Sequence, residues 1–358
     1  MPRKYSYNQL LLALVFSMTT IAYSGCSGSD EKIPDTTSIN IQLKTYRFDK
    51  DFYTIDTNNI GKGLRDLLVK YPDFLNYYLD TLMDYRIHGD FSDSNKTLTD
   101  SLKPFITYKD FTQLRDTILK YYPDSKEIDA ALLKGFKLMK FYFPGYSIPR
   151  IFYLDMELRN FPVFPIDTST LCIGLDWFLG PQFPHYASVG VPSYMGKHFT
   201  KSYLPVSVFS ALYLSRHPLV TEDHTLLDLI LQKGKELYFI HKILPKTPDS
   251  VLFGFTQNQI DWCNTNEANI YNFFIHQKLL YSKDQHNTIQ YIHDGPFAAG
   301  LESVTDPVKN SPGNIGTWLG YKIVRNYMAL HPEVSLEQLI TNKIDAPRLL
   351  DEAKYRPK

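Results

Sequence analysis

The sequence predicts a predominantly helical α+β fold, formed by a single domain with a small β-sheet. Apolar residues recur at helical spacing along most of the 358 residues, whereas three short β-rich runs lie close together near the middle of the chain. Aromatic residues make up 15% of the sequence, which is enough to bury a sizeable core. Because no Gly-, Ser- or Pro-rich linker divides residues 41–358, we expect them to form one domain.

Amphipathic spacing and capping residues set the limits of the predicted helices. Asp124 is expected to cap one of them, and Thr256 begins the capping-box pattern of another. Gly316 and Gly320 lie four residues apart in a third, so another element is expected to approach that helix closely. The predicted ranges are 60–83 with an interruption at Pro72, 109–121, 125–143, 205–216, 226–244, 256–281, 311–328 and 335–340.

Strands are predicted at residues 149–155, 161–164 and 171–175, with a weaker one at 41–47. Asp176 follows the third of these strands and leads into an aromatic, Pro-rich loop, an arrangement that often forms the wall of a cleft. We therefore expect a partner-binding groove formed by Asp176, Tyr186 and Tyr194. In the alternative, Asp176 caps a turn inside an aromatic core, and the sequence leaves both possibilities open.

Net charge and sequence motifs argue against several classes of function. The 38 basic and 38 acidic residues cancel, so the charge gives no reason to expect a nucleic acid partner. The sequence contains no H-E-x-x-H, no cysteine pair with metal-ligand spacing, no P-loop and no G-x-S-x-G. We accordingly expect no metal and no cofactor. Cys172 and Cys263 either form a disulfide or remain buried free thiols.

The first 25 residues have the features of a lipoprotein signal peptide. A basic pair at residues 3–4 precedes the uncharged apolar run 10–22, and small residues lead directly into Cys26. This stretch resembles the lipobox of bacterial lipoproteins, except that Tyr23 stands where leucine is usual. The resemblance implies an acyl anchor, such as palmitate, on Cys26 and attachment to a membrane. An ordinary signal peptide followed by an unrelated cysteine is the alternative.

A tether is expected between the anchor and the domain. Residues 26–40 are polar, contain Pro34 and lack an apolar period, so they should be flexible. An anchor of this kind would place the protein in the cell envelope. It would be attached to a membrane facing the periplasm, at the outer membrane or at the cell surface.

A series of distinctive short segments runs through the chain. They are residues 171–180 (LCIGLDWFLG), 192–194 (PSY), 234–238 (GKELY), 244–245 (LP), 259–263 (QIDWC), 295–297 (GPF), 311–320 (SPGNIGTWLG) and 354–357 (KYRP). In this order they resemble the gliding-motility lipoprotein family called GldB, over nearly all of residues 26–358. The resemblance implies a membrane lipoprotein that is required for gliding and acts with other proteins of the gliding and type IX secretion machinery. It implies no catalytic residues.

A more distant similarity to zinc-peptidase folds concerns the helix at 205–216. In those folds the corresponding helix carries H-E-x-x-H, and a later Glu that precedes a Gly completes the metal site. Here the helix offers no ligand, and Lys233 precedes Gly234 where the acidic ligand would stand. An ammonium group has no lone pair to give to a metal ion. The similarity therefore implies a zincin-like architecture without the metal site.

Two hypotheses about function follow, from different classes. In the first, the protein is a non-catalytic lipoprotein of the gliding machinery, and its cleft binds a partner. In the second, it is a hydrolase whose active site lies in the cleft near Asp176, together with Glu236 or His185.

Overall fold

The computed structural model describes residues 32–92, 94–159, 161–301 and 311–357. From Thr36 onward the chain forms one compact unit. This unit is predominantly helical and contains a small four-stranded sheet, as the sequence predicts. The predicted signal peptide and Cys26 lie outside the described residues.

Five predicted ranges, 109–121, 125–143, 205–216, 226–244 and 335–340, match observed helices to within one or two residues at both ends. Three of the observed helices begin with capping boxes, at Thr225, Thr256 and Ser335, whose side chains accept hydrogen bonds from the first turn. In chain order the helices are α1 (Phe48–Phe52), α2 (Ile60–Lys70), α3 (Leu75–Tyr77), α4 (Lys103–Thr107), α5 (Lys109–Tyr121), α6 (Lys126–Tyr142), α7 (His185–Ser188), α8 (Leu204–Leu214), α9 (Leu226–Ile243), α10 (Asp249–Leu252), α11 (Gln257–Thr265), α12 (Glu267–His276), α13 (Gln285–Thr288), α14 (Ile315–Leu330), α15 (Leu336–Thr341) and α16 (Ala346–Ala353).

Two helix predictions were wrong in detail. The segment predicted as one helix over 256–281 is two helices, because Asn266 ends α11: its side-chain amide and its backbone N–H both donate to the carbonyl of Trp262, each at 2.9 Å. Asp124 does not cap α6. Its carboxylate accepts the N–H of Lys126 at 3.0 Å, two residues on, and Ser125 takes the cap position without a side-chain cap bond.

The sheet consists of β1 (Thr45–Tyr46), β2 (Arg150–Leu154), β3 (Val163–Asp167) and β4 (Thr170–Gly174), in the order β1-β2-β4-β3. β1, β2 and β4 are parallel, and β3 pairs antiparallel with β4 at the edge. Ile151 lies opposite Leu171 in the β2–β4 pair. The three parallel strands therefore end at the same edge of the sheet, which is where α/β sheets usually carry their functional groups.

The two faces of the sheet contact two different hydrophobic cores. Ile151 and Ile173 belong to the larger core, which includes α6, α8, α9 and α14. Phe152 and Cys172 belong to the smaller core, formed mainly by residues 48–106. Because both faces are covered, β2 and β4 are apolar at nearly every position. Cys172 and Cys263 are buried free thiols in different cores, so the disulfide alternative is wrong.

Helices α9 and α14 form a close contact within the larger core. A Cβ on Gly320 would overlap the carbonyl oxygen of Ile230, and a Cβ on Gly234 would overlap the backbone of Gly320. Gly316 faces the carbonyl of Tyr291, with a Cβ distance of 2.7 Å. The close approach predicted from the spacing of Gly316 and Gly320 is thus confirmed, and it brings the two backbones into direct contact.

Candidate functional site

Each of the three parallel strands is followed by a buried aspartate. Asp49 comes three residues after β1, Asp155 directly follows β2, and Asp176 comes two residues after β4. All three are buried, and Asp176 has no exposed surface at all. The charges of Asp49 and Asp176 both interact with that of Asp155, so the three carboxyls lie near one another. With Glu157 we call them the strand-end carboxyl cluster.

Asp176 is held by the loop that follows β2. Its Oδ2 accepts the backbone N–H of Leu158 at 2.6 Å, whereas Oδ1 has no hydrogen bond of good geometry to any described residue. Burial raises the pKa of this carboxyl well above its usual value, and the neighbouring charge of Asp155 raises it further. Burial therefore favours the neutral, protonated form of Asp176, which supports the loop from inside the core.

Two other carboxyls in the strand-end carboxyl cluster, those of Asp155 and Glu157, also have raised pKa values. Asp155 accepts the Tyr53 hydroxyl at 2.7 Å and the Glu157 N–H at 3.1 Å, and burial raises its pKa to about 6. Burial also raises the pKa of Glu157 to about 7, although Arg159 lies 2.8 Å from its carboxylate. Glu157 and Leu158 have φ angles of 55° and 57°, a left-handed conformation that side chains rarely adopt. The strained loop is maintained by these contacts to buried carboxyls.

The residues of the predicted partner groove have different environments. Tyr186 is buried, and its ring stacks on Trp177. Its hydroxyl donates to the carbonyl of Asp176 at 3.1 Å and accepts the N–H of Leu179 at 3.0 Å. Tyr186 and Asp176 are thus brought together beneath the surface. Tyr194 is half-buried, in the 3-10 turn Ser193–His198. A partner groove at this place stays a prediction, and Tyr194 is the member with surface to offer it.

The residues named for the hydrolase hypothesis also have separate environments. Glu236 of α9 is buried, accepts the Ser210 hydroxyl of α8 at 2.5 Å, and pairs with Lys233 at 2.7 Å. His185 is exposed, with its ring against Phe183. Asp176, in contrast, is bonded to the loop after β2. The carboxyls of Asp176 and Glu236 are thus each engaged in a structural contact.

Lys233 forms an ion pair within α9. Its ammonium pairs with Glu236, which in turn links α9 to Ser210 of α8, the helix that the zinc-peptidase similarity singled out. Within the described residues, no group of three His, Cys, Asp or Glu side chains is arranged to hold a metal ion. The zincin-like likeness stays a prediction.

A groove between α6, α8, α9 and α15 was not predicted from the sequence. It consists of two adjoining cavities of about 220 and 210 Å³ that share Tyr213, His217 and Ile340. Lys235 lines one cavity and Arg216 the other. The pair Arg216-His217 at the end of the predicted helix 205–216 was the available signal, but helix α15 comes more than 100 residues later in the chain.

A comparison with protein families matches residues 29–357 to the family described as gliding motility protein GldB. The chain belongs to the GldB family. No curated protein and no solved structure matches the chain. Two of the segments that resemble GldB meet in the structure, since Gly234 and Gly320 form the contact between α9 and α14. These segments therefore contribute to the packing of the larger core.

The name of the family model marks GldB proteins as lipoproteins. Among the described residues, no helix combines the length and the apolar character that crossing a bilayer requires.

Proposed function

We propose that this GldB-family protein is a lipoprotein of the cell envelope, attached to a membrane through acyl chains on Cys26, and that it supports gliding by binding partner proteins. The family match over residues 29–357 carries the proposal, because the family is one of gliding motility. The partners are other proteins of the gliding and type IX secretion machinery. The membrane faces the periplasm, at the outer membrane or the cell surface.

The contacts of the candidate catalytic groups support binding rather than catalysis. Asp176 is enclosed in the core, and Glu236 is bonded on both oxygens, to Ser210 and to Lys233. A general acid or base has to reach the substrate proton directly or through one water. Neither carboxyl is free to do so in this arrangement.

Replacing Cys26 by alanine is expected to release the protein from membranes, since the acyl chains are the proposed anchor. The measurement is the distribution of the protein between membrane pellet and supernatant after a salt wash, in a gliding bacterium. Ser29→Ala, three residues away, is the control and should remain in the pellet. If Cys26→Ala pellets as completely as the natural protein, the anchor is not at this residue.

Replacing Tyr194 by alanine is expected to reduce colony spreading while leaving the fold intact. Tyr194 is half-buried, and we assign its exposed part to a partner contact, so its loss should change the free energy of unfolding by less than about 1 kcal/mol. Tyr108→Ala, at a tyrosine that is 62% exposed elsewhere, is the matched control and should spread normally. Normal spreading of the Tyr194 variant, or its unfolding, would count against a partner contact there.

A further inference from the structure

The groove between α6, α8, α9 and α15 is lined by the three cations Lys233, Lys235 and Arg216 and by the two carboxylates Glu236 and Glu337. Two of these cations, Lys235 and Arg216, have no acidic partner among the described residues. Among the described residues, Lys235 has no hydrogen-bond or ion-pair partner, although it is half-buried and lines the 220 Å³ cavity. Arg216 lines the other cavity and stacks on the ring of Tyr146 at 4.4 Å, without an acidic partner. Lys233, in contrast, already pairs with Glu236. Lys235 and Arg216 are therefore available to an anion.

His217 lies where the two cavities meet, between these two charges. It lines both cavities, and the charges of Arg216 and Lys235 both act on it. Burial, and after it these two charges, lower the pKa of His217, so the imidazole is neutral near pH 7 and can donate one N–H. His217 thus lies at the junction of the groove, with Lys235 in the one cavity and Arg216 in the other.

The second cavity has an apolar interior and one acidic group at its edge. Met139, Phe143 and Phe239 line it. Glu337, an exposed residue of α15, lines it too and has no described ion-pair partner. Each cavity is smaller than the roughly 300 Å³ typical of sites for small-molecule ligands. A single residue-sized group is thus the natural occupant of each.

We propose that this groove binds the C-terminal residue of a partner polypeptide. The free carboxylate lies at the junction beside His217 and is bound by Lys235 from the one cavity and by Arg216 from the other. The apolar side chain of that last residue enters the cavity lined by Phe143 and Phe239. Glu337 then accepts a backbone N–H of the preceding residues. The inference rests on the proposed function in one respect, that the partner is a protein.

A peptide terminus fits the groove better than a lipid. The apolar cavity of about 210 Å³ has room for one side chain, whereas a phospholipid brings two long acyl chains. Glu337 can accept the N–H groups that a peptide backbone supplies, whereas a phosphodiester has no N–H to donate. Lys235 and Arg216 can each give charge-assisted hydrogen bonds to a carboxylate.

The test uses the full-length protein in detergent micelles and a fluorescein-labelled pentapeptide, Gly-Ser-Ala-Ala-Leu, with either a free carboxylate or a C-terminal amide. Fluorescence anisotropy should show at least tenfold tighter binding of the acid than of the amide. Lys235→Gln and Arg216→Gln should each weaken binding of the acid at least tenfold and leave the amide unchanged. Lys134→Gln, at an exposed lysine of α6 that lines neither cavity, is the matched control.

Several results would overturn the proposal. They are equal binding of acid and amide, no binding of the acid at millimolar protein, or full binding by both groove variants. Displacement of the peptide by millimolar inorganic phosphate, or Lys235-dependent binding to phosphatidylglycerol vesicles alone, would show that the groove takes another anion. Arg216 is exposed, so its variant serves if Lys235→Gln fails to fold. Peptide binding is measured without motility, so this proposal can fail while the Cys26 and Tyr194 experiments succeed.

Discussion

Replacing Gly320 by alanine is expected to destabilise the protein by at least about 3 kcal/mol, at or beyond the upper end of the roughly 1–3 kcal/mol that overpacking a core usually costs. The added Cβ would overlap the carbonyl oxygen of Ile230 on the facing helix, a backbone atom that cannot rotate away. Relief therefore requires α9 and α14 to separate, and both helices lie in the larger core. Gly234→Ala is expected to have a similar effect, because its Cβ meets the backbone of Gly320.

The measurement is the free energy of unfolding from urea titrations of the purified variants. Gly145→Ala is the matched control: a Cβ there meets no atom within 4 Å, and the backbone is in a conformation that alanine adopts freely. It should leave stability unchanged or raise it by about 0.4–1 kcal/mol, since alanine has less freedom in the unfolded chain. A Gly320 variant within 1 kcal/mol of the natural protein would show that the helix contact is not tight.

The glycine contact also marks the limit of what the sequence predicts about the fold. Spacing alone placed Gly316 and Gly320 on one helix and required a close neighbour, which the structure confirms. It did not identify α9 as that neighbour, because the pairing depends on the packing of helices about 90 residues apart. Local signals such as the capping residues Thr256 and Ser335 were sufficient to locate where helices begin, since their hydrogen bonds are made within four residues.

The candidate sites were harder to predict from the sequence, because they are formed by residues that lie far apart in the chain. The sequence placed Asp176 at the end of a strand, which is confirmed. It did not show that the loop at residues 155–158 packs on this carboxyl, which accepts the N–H of Leu158. The groove between α6, α8, α9 and α15 was not predicted at all, because only the tertiary fold brings Arg216, Lys235 and Glu337 together. Periodicity reports which face of a helix is apolar and carries no information about which charges will remain unpaired there.

Replacing Asp176 by asparagine is expected to change how stability depends on pH. In the folded protein the pKa of Asp176 lies well above its usual value of 3.8, whereas in the unfolded chain it does not. Between these two values the folded state binds more protons than the unfolded state. The contribution of Asp176 is therefore fully present below about pH 4 and is lost as the pH rises through the folded pKa. Asp155 and Glu157, with pKa values raised to about 6 and about 7, act in the same direction.

Asparagine keeps the acceptor for the Leu158 N–H and has the shape of the protonated acid, but it does not titrate. The difference in unfolding free energy between Asp176→Asn and the natural protein should therefore rise in favour of the variant from pH 4 to pH 7. Asp176→Ala separates the two roles of the side chain. It should show the same change with pH, together with a constant loss of about 1–3 kcal/mol because the Leu158 N–H is left without its acceptor. Urea titrations at half-unit steps of pH give both quantities, and a difference that stays flat from pH 4 to pH 7 would mean that Asp176 is already ionised in the fold.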